Sequence, residues 1–431
     1  MSTVTRERRI RRWLVTPGLV GFVASPRLRS RPHGLYRVLR ALDPAHRSPL
    51  GIWLLSGQED VAAALRHPGM GSDEAKADMS AINMRFVRRG RAQPSLEEQT
   101  ASHNRPFFRL NNRLMLFMDP PDHPRVRGLV AKAFTPRRVE SLVPRVGQMV
   151  GEMLDGLAPR GGAELLSEFA YPLPARVICE LLGVPDEDHR LIMAHAPALA
   201  LALDPGPMRT PPAVAAADRA VTELSEYLGG LIESRQRQPA DDLITALVAA
   251  ESDGDRLSRD ELLATIILLL IAGHETTANV IGNGTLSLLR NPAQAARLRE
   301  DPDIERRAVE ELLRYDGPIN MAQRITNQDV ELNGTPIRAG RILVLLLAAA
   351  NRDGRVFSDP ERLDLTRDPN PHVAFGGGAH FCIGASLARL EARIAIPALL
   401  RRFPNLAPVG PAPRYRPSFT IRGLERLDLV W

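Results

Sequence analysis

Apolar residues recur at the three-to-four-residue spacing of amphipathic helices through most of the chain. This pattern predicts helices over 36–41, 60–66, 138–157, 165–182, 218–237, 304–315 and 385–402. Gly183-Val184-Pro185 stops the fourth of these. Strand patterns are few. One falls at 51–55, after the Ser48-Pro49 turn, and two lie between 329 and 344, joined through Asn333-Gly334. Residues 1–34 are basic and irregular, and 71–109 form a long, weakly patterned polar stretch of the kind that serves as a lid or binding loop. No repeat or linker divides the chain. The expectation is an irregular segment over 1–34 and one domain over 35–431, mainly α with a small β portion (α+β).

The longest helix is the best defined. Ser258 and Glu261 form a capping box, and the next proline is Pro292. About 32 residues at 1.5 Å each make a rod of roughly 48 Å, enough to cross a domain. Residues 262–273 are apolar on every face apart from Thr265, which predicts burial on all sides. The polar run Ala272-Gly273-His274-Glu275-Thr276-Thr277 closes this stretch. A carboxylate and two hydroxyls placed there are costly unless paired or hydrated.

A second concentration of chemistry lies in Phe375-Gly376-Gly377-Gly378-Ala379-His380-Phe381-Cys382-Ile383-Gly384, at the start of the last long helix. The glycines permit close backbone approach, and a thiolate at a helix N-terminus is favoured by the free N–H groups there. Cys382 is therefore a candidate ligand or nucleophile. A zinc site would need further cysteine or histidine ligands, and a cysteine hydrolase would need a base such as His380 or His372. The only other cysteine, Cys179, lies in an apolar run and reads as a core thiol. Two cysteines in 431 residues point to a reducing, cytoplasmic setting.

Net charge is +6, and Lys76 and Lys132 are the only lysines among 56 basic residues. The arginines are scattered and only 5% of residues are aromatic, which argues against nucleic-acid binding. The apolar part of the N-terminus is too short to span a bilayer. In Asp122-His123-Pro124-Arg125-Val126-Arg127, arginines arrive in the first turns of a helix, the wrong sign for its dipole unless an anion sits there.

Taken in order, His123-x-x-x-Arg127, Ala272-Gly273-x-Glu275-Thr276-Thr277, Glu311-x-x-Arg314 and the Phe-Gly-x-Gly-x-His-x-Cys-x-Gly loop resemble the cytochrome P-450 family, the haem-thiolate monooxygenases, and its soluble bacterial class in particular. The resemblance runs from about Leu35 to the C-terminus and implies the single triangular domain of that family, about a dozen helices with short sheets. It implies haem b as cofactor, with Cys382 as the thiolate ligand of the iron. Phe375, Gly376 and Gly384 would shape the loop around the sulfur, and His123, Arg127, Arg324 and His380 would hold the propionates. Ala272 and Gly273 would line the oxygen side of the haem, where Glu275 and Thr276 would relay protons. Glu311, Arg314 and Arg362 would form a structural cluster behind the loop.

No nucleotide-binding fingerprint is present, so electrons are expected from a ferredoxin- or flavodoxin-type donor with its NAD(P)H reductase. Arg389, Arg393, Arg401 and Arg402 are candidates for its docking face. The expected substrate is a small apolar organic molecule, oxidised with O2 by a monomeric enzyme without a transmembrane segment. Arg85, Arg88, Arg89 and Arg105 are candidates to meet a carboxylate or a carrier-protein phosphate. Peroxide-driven or oxidative-coupling chemistry is the alternative, and a non-catalytic haem-fold recruitment partner a further one that the presence of Cys382 opposes.

Overall fold

The computed structural model describes residues 17–19, 21–22, 25–78, 104–202, 204, 210–252 and 254–431. The described residues contain sixteen α-helices, more than the dozen expected. Part of the excess comes from prolines that cut predicted helices in two. The 138–157 pattern becomes Pro136–Glu140 and Val143–Leu157, with Pro144 in the first turn of the second. The 165–182 pattern becomes a π-helical turn, Leu166–Ala170, followed by a separate helix beginning at Pro172.

In chain order, the elements that frame the site begin with α1 (Pro26–Ser30) and α2 (His33–Leu42). Strands β1 (Ala45–Arg47) and β2 (Trp53–Leu55) follow, then α3 (Gln58–Arg66) and β3 (Met70–Gly71). Next come α4 (Asp122–Ala133), α5 (Pro172–Leu182), α6 (Arg259–Leu289) and α7 (Glu305–Asp316). Strands β4 (Ala322–Thr326) and β5 (Ile342–Leu345) precede α8 (Ala385–Arg402). Helix α1 corrects the expectation of an irregular 1–34. Ser25 caps it and Pro26 opens it, both ordinary start signals masked by the arginine-rich composition. Arg29 on α1 donates to the Pro417 carbonyl at 2.9 Å and lies 4.7 Å from the Phe419 ring centre, so this segment packs on the C-terminal part of the chain.

The main sheet runs β1-β2-β5-β4-β3. Strand β5 is parallel to β2 and antiparallel to β4, with Leu343 opposite both Trp53 and Arg324. The Asn333-Gly334 turn is a hairpin turn, with φ of 45° and 77°, but its second strand ends at Ile337. The apolar 342–345 stretch has joined the larger sheet, where its alternate residues Leu343 and Leu345 are fully buried.

The capping box of α6 forms as predicted, with Ser258 and Glu261 each bonding the other's backbone N–H. Glu261 also pairs with Arg125 on α4, which ties the start of α6 to the His123 helix. Helix α6 packs against α5, α7 and α8 and is buried over almost its whole length. Among the described residues it is the one helix long and apolar enough to cross a membrane, and its apolar stretch lies inside the fold.

Candidate functional site

The cysteine loop is held by its own backbone. Cys382 N–H donates to the Phe375 carbonyl at 3.0 Å, and Gly376 N–H to that of Val373 at 2.9 Å. Gly376 and Gly378 have φ of 70° and 65°, in the left-handed region. At Gly378 a Cβ would also run into the carbonyl oxygen of Leu65 on α3, so glycine is required there twice over. Cys382 is accessible to solvent, although many protein atoms surround it. Burial pushes its thiol pKa up, against the Gly384 N–H and the charges of Arg127 and Arg389, which favour the thiolate.

Three separate elements bring basic groups to this loop. His123 and Arg127 come from α4, Arg324 from β4 and His380 from the loop itself. The His123 and His380 rings lie 4.0 Å apart, and Arg127 donates to the Phe381 carbonyl at 2.5 Å. Burial lowers the pKa of His380 to about 3, helped by Arg324 and His123. Burial likewise lowers Arg324 to about 10, with only Asp119 acting in the opposite direction. Among the described residues, Arg324 forms no ion pair; its one hydrogen bond goes to the Gln323 carbonyl. His123 Nε2 is buried with no hydrogen-bond partner. Four clustered donors held at such a cost fit a ligand that supplies anionic oxygens. A haem would meet that requirement, with its two propionates held by these groups and Cys382 available as ligand to its iron. The same anions would offset the unfavourable sign of Arg127 near the start of α4, whereas Arg125 is already offset by Glu261 and Asp255.

Replacing Arg324 with Met should therefore weaken haem retention. We expect about a tenfold rise in the rate of haem transfer to an excess of apomyoglobin, corresponding to ~1.4 kcal/mol for one lost charge-assisted contact. An unchanged transfer rate would remove Arg324 from the cofactor site.

Between Ala264 and Leu288 the burial of α6 is interrupted at one place: Ala272 is exposed, and Gly273 and Thr276 are partly so. A Cβ on Gly273 would meet only ordinary contacts with Ile178, so neighbouring protein does not demand glycine there. Thr276 Oγ1 donates back to the Ala272 carbonyl at 2.5 Å. Glu275 is buried, and its Oε1 accepts from Arg416 at 2.5 Å, Tyr171 at 3.2 Å and Asn279 at 3.2 Å. Its Oε2 has no partner. The acid and the alcohol are thus neighbours with separate partners, and no hydrogen bond joins them. Burial, then the Glu275 charge, raise the Tyr171 pKa, which keeps the phenol protonated and able to donate. Sequence reasoning missed Arg416 and Tyr171, which lie far from α6 in the chain. Asn279 was visible in principle, one helical turn beyond Glu275.

Behind the loop, Glu311 and Arg314 are both fully buried. Arg314 uses all five of its N–H groups, on both Glu311 oxygens and on the carbonyls of Asn351, Pro360 and Arg362. The expected third arginine needs correction. Arg362 contributes only its backbone carbonyl, and its side chain is exposed. Arg367 takes that place, with Nε at 3.1 Å and 3.3 Å from the Glu311 oxygens.

Three of the four arginines proposed for docking are already neutralised. Arg389 pairs with Glu310, Arg401 with Glu305 and Arg402 with Asp155. Arg105 pairs with Asp218 at 2.5 Å, and Arg85, Arg88 and Arg89 lie outside the described residues.

The model of the cytochrome P450 family matches residues 92–420. The chain belongs to the cytochrome P450 family. It is 43% identical over 409 residues to cytochrome P450 107B1 of Saccharopolyspora erythraea, covering 94% of this chain and 93% of the relative. It is also 43% identical to the cytochrome P450 monooxygenase PikC of Streptomyces venezuelae, covering 93% and 91%. Among solved structures, P450BioI in complex with an acyl carrier protein ligated to hexadec-9Z-enoic acid superposes with a TM-score of 0.83 at 37% identity, covering 94% of this chain and all of that one. The fold is that of the P450s, the activity class is monooxygenase, and the family's cofactor is haem with cysteine-ligated iron.

Proposed function

We propose that this P450 inserts one oxygen atom from O2 into an apolar organic metabolite, by hydroxylation or epoxidation, with Cys382 as the iron ligand. The observation that carries the reading is the buried Glu275, next to Thr276, where the burial of α6 is interrupted at 272–276. Bound haem supplies the oxygen chemistry, and the chain supplies position, dryness and protons. His123, Arg127, Arg324 and His380 would orient the cofactor through its propionates. The apolar walls of α6 on either side of 272–276 limit water at the reacting face.

Proton delivery falls to Glu275 and Thr276. The unpartnered Glu275 Oε2 is the oxygen left to accept or release a proton, because Arg416, Tyr171 and Asn279 engage Oε1. The Thr276 hydroxyl donates its hydrogen to the Ala272 carbonyl, which leaves its lone pairs free to accept. A peroxide-driven enzyme would have little use for a buried acid at this point.

Electrons would come from a separate ferredoxin- or flavodoxin-type protein with its NAD(P)H reductase, in the cytoplasm. A place in secondary metabolism is supported by similarity to bacterial P450s such as PikC. The test is Glu275→Gln. Substrate oxidation with the redox partner should fall about 10²-fold, the scale of a lost general acid–base group, with an enlarged solvent isotope effect. Activity driven by added peroxide should persist. Equal loss with both oxidants would refute proton delivery through Glu275.

A further inference from the structure

His372 and Glu310 have no part in the chemistry above, yet they stand directly behind the cysteine loop. Consecutive carboxylates on α7 face different ways. Glu311 enters the buried cluster, while Glu310 turns towards the loop and α8. Glu310 accepts from Arg389 Nε at 2.6 Å and Nη2 at 2.9 Å, a bidentate pair. His372 Nε2 lies 2.9 Å from Glu310 Oε2. The other ring nitrogen, Nδ1, accepts the Ala374 N–H at 3.2 Å, which leaves Nε2 as the protonated nitrogen that donates to Glu310. Burial opposes a charge on Glu310, but His372 and Arg389 more than offset it and hold the carboxyl at about 2.

The guanidinium held in this way lies 4.4 Å from the centre of the Phe375 ring. Phe375 is the residue whose carbonyl accepts the Cys382 N–H. Arg389 therefore touches the loop through its aromatic residue and acts on the sulfur through its charge. Glu310 and Arg389 are each about one-third exposed, so water screens their fields only in part.

We propose that Glu310 is the counter-charge that holds Arg389 against Phe375 and offsets its positive field at Cys382, so that the balance between these two charges keeps the reduction potential of the haem from shifting in either direction. Adding an electron to the iron makes the thiolate–haem unit more negative by one charge. An unopposed Arg389 favours the reduced state, and an unopposed Glu310 disfavours it. The three residues are positioning residues, since none of them reaches the reacting atoms.

The inference rests on Cys382 as the iron ligand, and potentiometry on the haem-loaded protein separates the two. Glu310→Gln should shift the reduction equilibrium towards ferrous haem by about tenfold, ~59 mV for one electron. Arg389→Met should shift it by a similar factor in the opposite direction, and the double variant should return close to the native value. Each should keep the red-shifted Soret band of the reduced carbonyl complex. Loss of structure would move both single variants alike. Should Glu310→Gln not accumulate, Arg389→Met against the double variant carries the same test. Shifts of one sign, or none, with the band intact would overturn the counter-charge role. Absence of that band from the native protein would instead overturn Cys382 as ligand, and this inference with it.

Discussion

Cys382→Ala should abolish the red-shifted Soret band of the dithionite-reduced carbonyl complex, and monooxygenase turnover should fall by at least about 10³-fold. The thiolate is the one strong electron donor the loop offers, and no other thiol can replace it. Cys179, the second cysteine, is buried in α5, where burial pushes its thiol up to about 12. Alanine adds no bulk, and the loop's hydrogen bonds run through backbone groups that it retains. The variant should therefore fold, and any haem it binds should show the spectrum of another axial ligand. Retention of the native carbonyl spectrum would exclude Cys382 as ligand.

The second large effect is on stability. Arg314→Met should cost about 3–5 kcal/mol, because it leaves Glu311 buried with its main partner gone. Arg367 bonds the same carboxylate, but its other N–H groups go to the Ser358, Asp359 and Arg362 carbonyls and not to those of Asn351 and Pro360 that Arg314 joins. The segment leading into the cysteine loop should loosen, lowering haem content as well as the denaturant midpoint. Combining Arg314→Met with Glu311→Leu should recover part of the loss, since replacing both partners removes the uncompensated charge. A midpoint within error of the native protein for Arg314→Met alone would contradict the role assigned to this pair.

Much of this was legible in the sequence for identifiable reasons. Local rules govern the α6 capping box, the Asn333-Gly334 turn and the glycines of the cysteine loop, and these emerged as predicted. Short fixed spacings carried Glu311-x-x-Arg314 and His123-x-x-x-Arg127. What depends on long-range packing did not show. Arg362 and Arg367 are equally basic neighbours in one irregular stretch, and only the folded path of 358–367 brings Arg367 to Glu311. Arg416 reaches Glu275 across 141 residues, and no periodicity reports such a contact. The pairing of Arg389 and Arg401 was hidden similarly, because a count of arginines along α8 does not reveal the acids on α7 that neutralise them.

The contact between Gly378 and the Leu65 carbonyl bears on how this protein can be re-engineered. The cysteine loop is seated on α3, a helix that belongs to the N-terminal sheet region rather than to the helical bundle around α6. A cysteine loop transplanted from a relative must therefore match the backbone path of 64–66 as well as its own flanks. Chimeras that exchange 375–384 together with 58–66 should yield haem-loaded protein more often than chimeras that exchange the loop alone. The two segments, more than 300 residues apart in the chain, are in practice one interchangeable part.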